Sequence, residues 1–189
     1  MDTQKPPYIK TTEIPGLLII NRPIFPDNRG FFREIGQARE IEEAIGFPFN
    51  PIQFNHSLSK IGVIRGLHAE NWNKLVYPIT GKMFSAFADL RPHLPTFKKT
   101  FTITIDDANR QAIFIPHGVA NSTCALENDN NEPVNYIYAV DAYYDGTDTT
   151  AVIWNDPDLA INWPIKNPIL SERDTQNKTL RQLFPEKFS

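Results

Sequence analysis

The chain has a single cysteine, Cys124, among 189 residues. One thiol cannot close an internal disulfide, so a reducing compartment such as the cytosol is the expected setting. No run of about 18 apolar residues occurs, which excludes a membrane-spanning helix. The opening stretch MDTQKPPYIKTTEIPG is polar and proline-bearing, without the apolar block of a secretory leader. Neither sign of charge dominates: the net charge is −3, so bulk electrostatics gives no reason to expect a nucleic-acid partner. Also missing are a G-x-G-x-x-G or Walker-type phosphate loop and a G-x-S-x-G nucleophile elbow. Dinucleotide binding, P-loop chemistry and serine hydrolysis therefore have no support in the sequence.

What is present is proline, 16 residues, and phenylalanine, 13, spread through many short apolar runs. The length suits one domain, residues 1–189. Strand-like runs cover 16–25, 30–35, 51–59, 62–69, 74–80, 82–91, 99–105, 111–116, 119–127 and 134–140. Their spacing and the Pro, Gly, Asn and Asp clusters between them point to an all-β sandwich or barrel. Thr80-Gly81-Lys82 and the segment 106–111 read as hairpin turns. A helix is expected near 37–46, ending on its glycine, and a second from Ser171 through TLRQLF, with the last residues fraying. Strand alternation puts Met83, Ser85, Phe87 and Asp89 on one face and Phe84, Ala86, Ala88 and Leu90 on the other. By the same rule Arg65 and His68 face opposite ways unless a bulge intervenes.

The stretch VIRGLHAE, residues 63–70, ends a strand in His-x-Glu. That pair opens the zinc-deaminase signature, but the signature also needs a Pro-Cys-x-x-Cys, and one cysteine cannot supply it. His56, His93 and His117 show no metal-ligand spacing with His68. What remains is His68 as a base, which would need an orienting carboxylate, a cation for developing oxyanion charge and an acid on the far face of the substrate. Residue types alone leave each of those open.

Several segments in order resemble the dTDP-4-dehydrorhamnose 3,5-epimerase family: DNRGFFREI (27–35), QFNHSLSKIGVIRGLH (53–68), KLV (74–76), DLRPHLPTF (89–97), IPHGVAN (115–121), YIYAVDAYY (136–144), WNDPDLAINWP (154–164) and ILSERD (169–174). The resemblance implies a cupin-type jelly roll with a few short peripheral helices. It implies metal-independent proton transfer beside the C4 ketone of a nucleoside-diphosphate 4-keto-6-deoxysugar, with no cofactor. His68 matches the family's base. Asp174 matches the carboxylate behind it, although Ser171-Glu172-Arg173-Asp174 is also a helix-capping pattern. Lys74 matches the cation near the C4 oxygen, and Tyr138 the opposite-face acid, with Tyr136 and Tyr143 as alternatives. Arg29, Phe31, Gln53, Asn55 and Arg65 match substrate contacts, arginine suiting a diphosphate through its forked donors. The resemblance further implies a homodimer whose N-terminal strand reaches its neighbour with Arg29, and the single cysteine a cytoplasmic setting.

The chain also departs from the family. A second active-site histidine is Asn121 here, and the aspartate beside it is Ser85; both are expected to contact substrate. The family's R-G-L-H-Y-Q is RGLHAE, so Glu70 stands where relatives usually carry an amide and reads as a pocket-rim residue. Similar trimmed forms resemble epimerases of GDP-linked 4-keto heptoses in capsule synthesis. The nucleotide, the sugar length and the number of carbons inverted stay open, and a 3,4-ketoisomerase or a non-catalytic sugar-nucleotide-binding cupin are the competing readings.

Overall fold

The structure is a computed structural model that describes residues 8–146 and 150–188. Thirteen strands are present among them: β1 (Ile9–Thr11), β2 (Leu18–Ile20), β3 (Phe25–Asp27), β4 (Gly30–Phe32), β5 (Gln53–Ser59), β6 (Ile64–Ala69), β7 (Lys74–Thr80), β8 (Lys82–Asp89), β9 (Thr100–Ile105), β10 (Ala112–Ile115), β11 (Val119–Leu126), β12 (Val134–Val140) and β13 (Thr150–Ala151). They form a six-stranded sheet of order β1-β2-β10-β7-β12-β5, a five-stranded sheet of order β13-β6-β11-β8-β9, and a separate β3-β4 ribbon. All pairings within the sheets are antiparallel. This is the two-sheet jelly roll expected.

Alternation along the strands builds the core between the sheets. Ile19, Val76 and Ile113 of the first sheet pack with Met83, Phe87 and Ile105 of the second. The second sheet is buried on its outer face as well. Phe84, Ala86 and Cys124 lie there under Trp154, Trp163 and Leu170 of the C-terminal segment, and Trp163 Nε1 donates to Trp154 O at 2.7 Å. Part of the first sheet's outer face is covered by α1 (Ala38–Ile45), which ends at Gly46 as expected and buries Ile41 against Leu18, Ile20 and Phe114.

Two turn assignments need correction. Strands β7 and β8 lie in different sheets, so Thr80-Gly81-Lys82 turns a corner between sheets instead of closing a hairpin. Gly81 is required there: its φ is +76°, and a Cβ would sit 2.6 Å from Pro133 O. The 106–111 segment likewise passes from β9 to β10 across the sandwich, with Asp106 Oδ1 accepting from Ala108 N at 3.0 Å. Turn residues mark where the chain bends; they do not say which strands then pair. The expected second helix is two short ones, α2 (Glu172–Thr175) and α3 (Leu180–Leu183). Each has its own cap, Ser171 and Thr179, and the link between them leaves the helix to bridge Lys178 to Val152. Beyond α3, Phe184 packs edge-on against Phe97, ring centroids 5.1 Å apart.

Candidate functional site

A cavity of about 410 Å³ opens between the two sheets. From the second sheet β6 contributes Arg65 and His68, two residues that plain alternation would put on opposite faces. The β6–β11 register explains the difference. His68 pairs with Asn121 and Arg65 with Thr123, so β6 spends three residues where β11 spends two. The extra residue is a bulge, and it leaves Ile64 and Leu67 both on the outer, covered face. Gly66 makes this possible. Its φ is +120°, and a Cβ would stand 2.6 Å from Asn121 O and 2.8 Å from Ser122 Cβ.

His68 donates through Nε2 to Asp174 Oδ1 at 2.6 Å. Two backbone bonds, Ile64 N to Ile169 O at 3.0 Å and Ile169 N to Gly62 O at 2.8 Å, hold the C-terminal segment alongside β6 and bring α2 under the imidazole. The two readings of Asp174 are both realised. Its N donates to the capping Ser171 Oγ at 3.1 Å while its carboxylate meets His68. Burial alone would raise the Asp174 pKa. The hydrogen bond and charge of His68, with the Ser171 and Gly66 contacts, outweigh burial and hold the carboxyl below the usual range. No partner binds His68 Nδ1 among the described residues, and His68 lines the cavity.

The opposite wall comes from the first sheet. Lys74 opens β7, where Asn73 pins the strand start by donating to Asp141 Oδ1 at 2.8 Å and Asp141 Oδ2 at 2.7 Å. The lysine side chain is only 7 % exposed. Its ammonium is ion-paired with Glu70 and stands 5.0 Å from the centre of the Tyr138 ring. Burial pushes the ammonium below the usual lysine value, and Glu70 pulls it back part of the way. Tyr138 lines the cavity, and burial, then Tyr136 and Glu70, push its phenol above the usual value against the pull of Arg65. Tyr136, two residues along β12, lines the same cavity with its ring centre 6.1 Å from that of Tyr138. Tyr143 is exposed and off the cavity.

Asn121 lines the cavity and donates through Nδ2 to His68 O and to Glu70 Oε2, both at 2.9 Å. Arg65 is held at the edge by Ser59 Oγ at 2.9 Å and Leu58 O at 3.0 Å. The other expected contacts do not line this cavity. Gln53 and Asn55 bond each other at 3.0 Å, and Gln53 also accepts from Tyr144 N. Ser85 is buried opposite Thr123 in the β8–β11 register, and neither hydroxyl has a hydrogen-bond partner among the described residues. Arg29 and Phe31 sit on the β3–β4 ribbon, Arg29 with its side chain 84 % exposed and paired to Asp27 in its own loop. Glu70 was set aside in the sequence reading, yet it contacts both Lys74 and Asn121. The signal for it was available, since Glu70 follows His68 by two and strand alternation puts both on one face.

The family model described as dTDP-4-dehydrorhamnose 3,5-epimerase matches residues 11–182. A dTDP-4-dehydrorhamnose 3,5-epimerase of Shigella flexneri is 35 % identical over 167 residues, covering 86 % of this chain and 90 % of that protein. A 4-keto-6-deoxy sugar epimerase from the novobiocin gene cluster of Streptomyces spheroides superposes with a TM-score of 0.87 at 30 % identity, covering 95 % of this chain and 90 % of that one. A dTDP-6-deoxy-D-glucose-3,5-epimerase of Legionella pneumophila, solved with dTDP-4-keto-L-rhamnose, superposes with a TM-score of 0.85 at 33 % identity, covering 94 % and 95 %.

Proposed function

The chain belongs to the dTDP-4-dehydrorhamnose 3,5-epimerase family, and from that membership we propose how its cavity inverts a nucleoside-diphosphate 4-keto-6-deoxysugar. The protein is a nucleotide-sugar epimerase, an isomerase of the cupin-type jelly-roll class. One observation supports the assignment of roles above the others. His68 and Tyr138 face one cavity from opposite sheets, and inversion at carbon requires a proton to leave one face and another to arrive on the other.

His68 is the base. Asp174 fixes its Nε2–H tautomer, leaves Nδ1 to take the proton and stabilises the imidazolium that forms. The C4 carbonyl acidifies the hydrogens at C3 and C5, so the electrons released become an enolate. Lys74 meets the developing charge on the C4 oxygen. Tyr138, held as a phenol, returns a proton to the carbon from the far face. Base, cation and acid are all side chains, and no step calls for a metal or redox cofactor. Arg65 and Asn121 orient the substrate. Arg29 and Phe31 act on the cavity of a second copy in a homodimer; the exposed Phe25, Phe31 and Phe32 of the ribbon support this. A cytosolic setting fits the one buried free thiol, Cys124, and a product destined for a capsule or lipopolysaccharide fits the deoxysugar class.

The test is isotope exchange. The protein is incubated in heavy water with dTDP-4-keto-6-deoxyglucose, and with its GDP counterpart, while deuterium is followed at C3 and C5 by NMR. Exchange at both carbons, or at one, is expected, and His68→Ala abolishes it. A new 3-keto product, or binding without exchange, overturns the assignment.

A further inference from the structure

Glu70 is not used by proton transfer between His68 and Tyr138, yet it sits at the centre of the site's polar contacts. Its side chain is 15 % exposed, one oxygen takes the Lys74 ammonium and the other takes the Asn121 amide. The Asn121 NH₂ group has two hydrogens, and both are spent, one on His68 O and one on Glu70 Oε2. Glu70 is therefore an acceptor at both oxygens. The other charged or titratable groups facing the cavity are Arg65 and His68 from β6, Tyr136 and Tyr138 from β12, and Arg173 and Asp174 from α2. Asp174 is engaged with His68, so among the described residues Glu70 is the carboxylate that answers Lys74.

We infer that Glu70, anchored by Asn121, is a positioning residue that keeps the Lys74 ammonium charged and fixed beside Tyr138. An ammonium has three hydrogens. Glu70 takes one, which leaves others for a substrate oxygen. Without Glu70 the buried lysine loses the group opposing its neutralisation, and a neutral amine cannot stabilise an enolate. The same negative charge helps hold Tyr138 as a phenol. Asparagine at 121 suits this anchor because it stays neutral at every pH; a histidine there would bring a second titrating group against Glu70. The inference rests on the role proposed above for Lys74.

Two measurements test it. In the first, lysines are isotopically labelled at Cε, the Lys74 resonance is assigned by its loss in Lys74→Arg, and it is titrated in the parent, Glu70→Gln and Glu70→Asp without substrate. The Lys74 midpoint moves to lower pH in Glu70→Gln and returns toward the parent in Glu70→Asp. An unmoved midpoint in Glu70→Gln overturns the inference. In the second, exchange kinetics with dTDP-4-keto-6-deoxyglucose are followed across pH. In Glu70→Gln, kcat falls about 10-fold or more at alkaline pH, KM changes little, and the alkaline limb shifts toward acid. A loss uniform across pH, or one confined to KM, overturns it. A parent protein with no exchange would refute the proposed reaction, while the Lys74 titration still decides the place of Glu70.

Discussion

Asp174 shows how much one side chain can settle. Its backbone N–H completes a helix cap and its carboxylate orients an imidazole, so the capping pattern and the dyad were never alternatives. The paired tyrosines are the harder case, because Tyr136 and Tyr138 lie on one strand face and line one cavity. Tyr138 has the lysine at its ring and the raised phenol value, and these support the proton delivery proposed for it. In Tyr138→Phe, deuterium should still enter through His68 while inversion at carbon falls about 100-fold or more. Tyr136→Phe should keep inversion. NMR of the product sugar separates the two. The sequence held His68, Asp174, Lys74 and Tyr138 as a set, through family pattern. It undervalued Glu70: alternation puts this residue on the His68 face, but its ion-pair partner Lys74 opens a strand of the other sheet, and no strand rule links the two. It could not place Arg29, whose ribbon stands away from its own cavity.

Among the elements, the strands with the cleanest flanks were the most legible. The runs 74–80 and 134–140 match β7 and β12 residue for residue, since turn residues bound apolar segments on both sides. Pairing was less legible, because partners are chosen by the whole sandwich. The β6 bulge is the element on which the site depends, and alternation alone could only state that something must break the pattern between Arg65 and His68. Gly66→Ala should therefore do double damage. The added Cβ meets Asn121 O at 2.6 Å with φ at +120°, so β6 and β11 must part. A loss of about 2–4 kcal/mol in denaturant unfolding is expected, together with loss of exchange activity as His68 leaves its register.

Over the whole molecule, composition was enough to remove several function classes, and the all-β reading followed from proline and aromatic spacing. The covering of the second sheet by the C-terminal segment was not legible, since Trp154 and Trp163 are far in sequence from the strands they bury. The fold also carries buried charge that sets its acid tolerance. Asp89 is fully buried and takes Arg91 Nε and Nη2 and Thr96 Oγ1, each at 2.7 Å. Burial would raise its pKa, but these bonds bring it below the usual carboxylate value, as His68 does for Asp174. A carboxyl depressed in the folded state contributes its stability in full above the unfolded value and loses it as pH falls through the folded one. Stability should thus hold from neutral pH into the upper carboxylate range and decline below it. In Asp89→Asn that decline should be shallower and the neutral-pH stability lower by about 3 kcal/mol, read from urea midpoints at a series of pH values.

The His68–Asp174 contact joins residues 106 positions apart, which has a consequence in time as well as in space. At about 5–20 residues per second of synthesis, the histidine leaves the peptidyl-transferase centre roughly 5–20 seconds before its carboxylate is made. Throughout that window the nascent chain holds an imidazole with no partner to set its tautomer. A ribosome stalled just before codon 174 would already have made all thirteen strands described above, yet not the carboxylate that orients the imidazole.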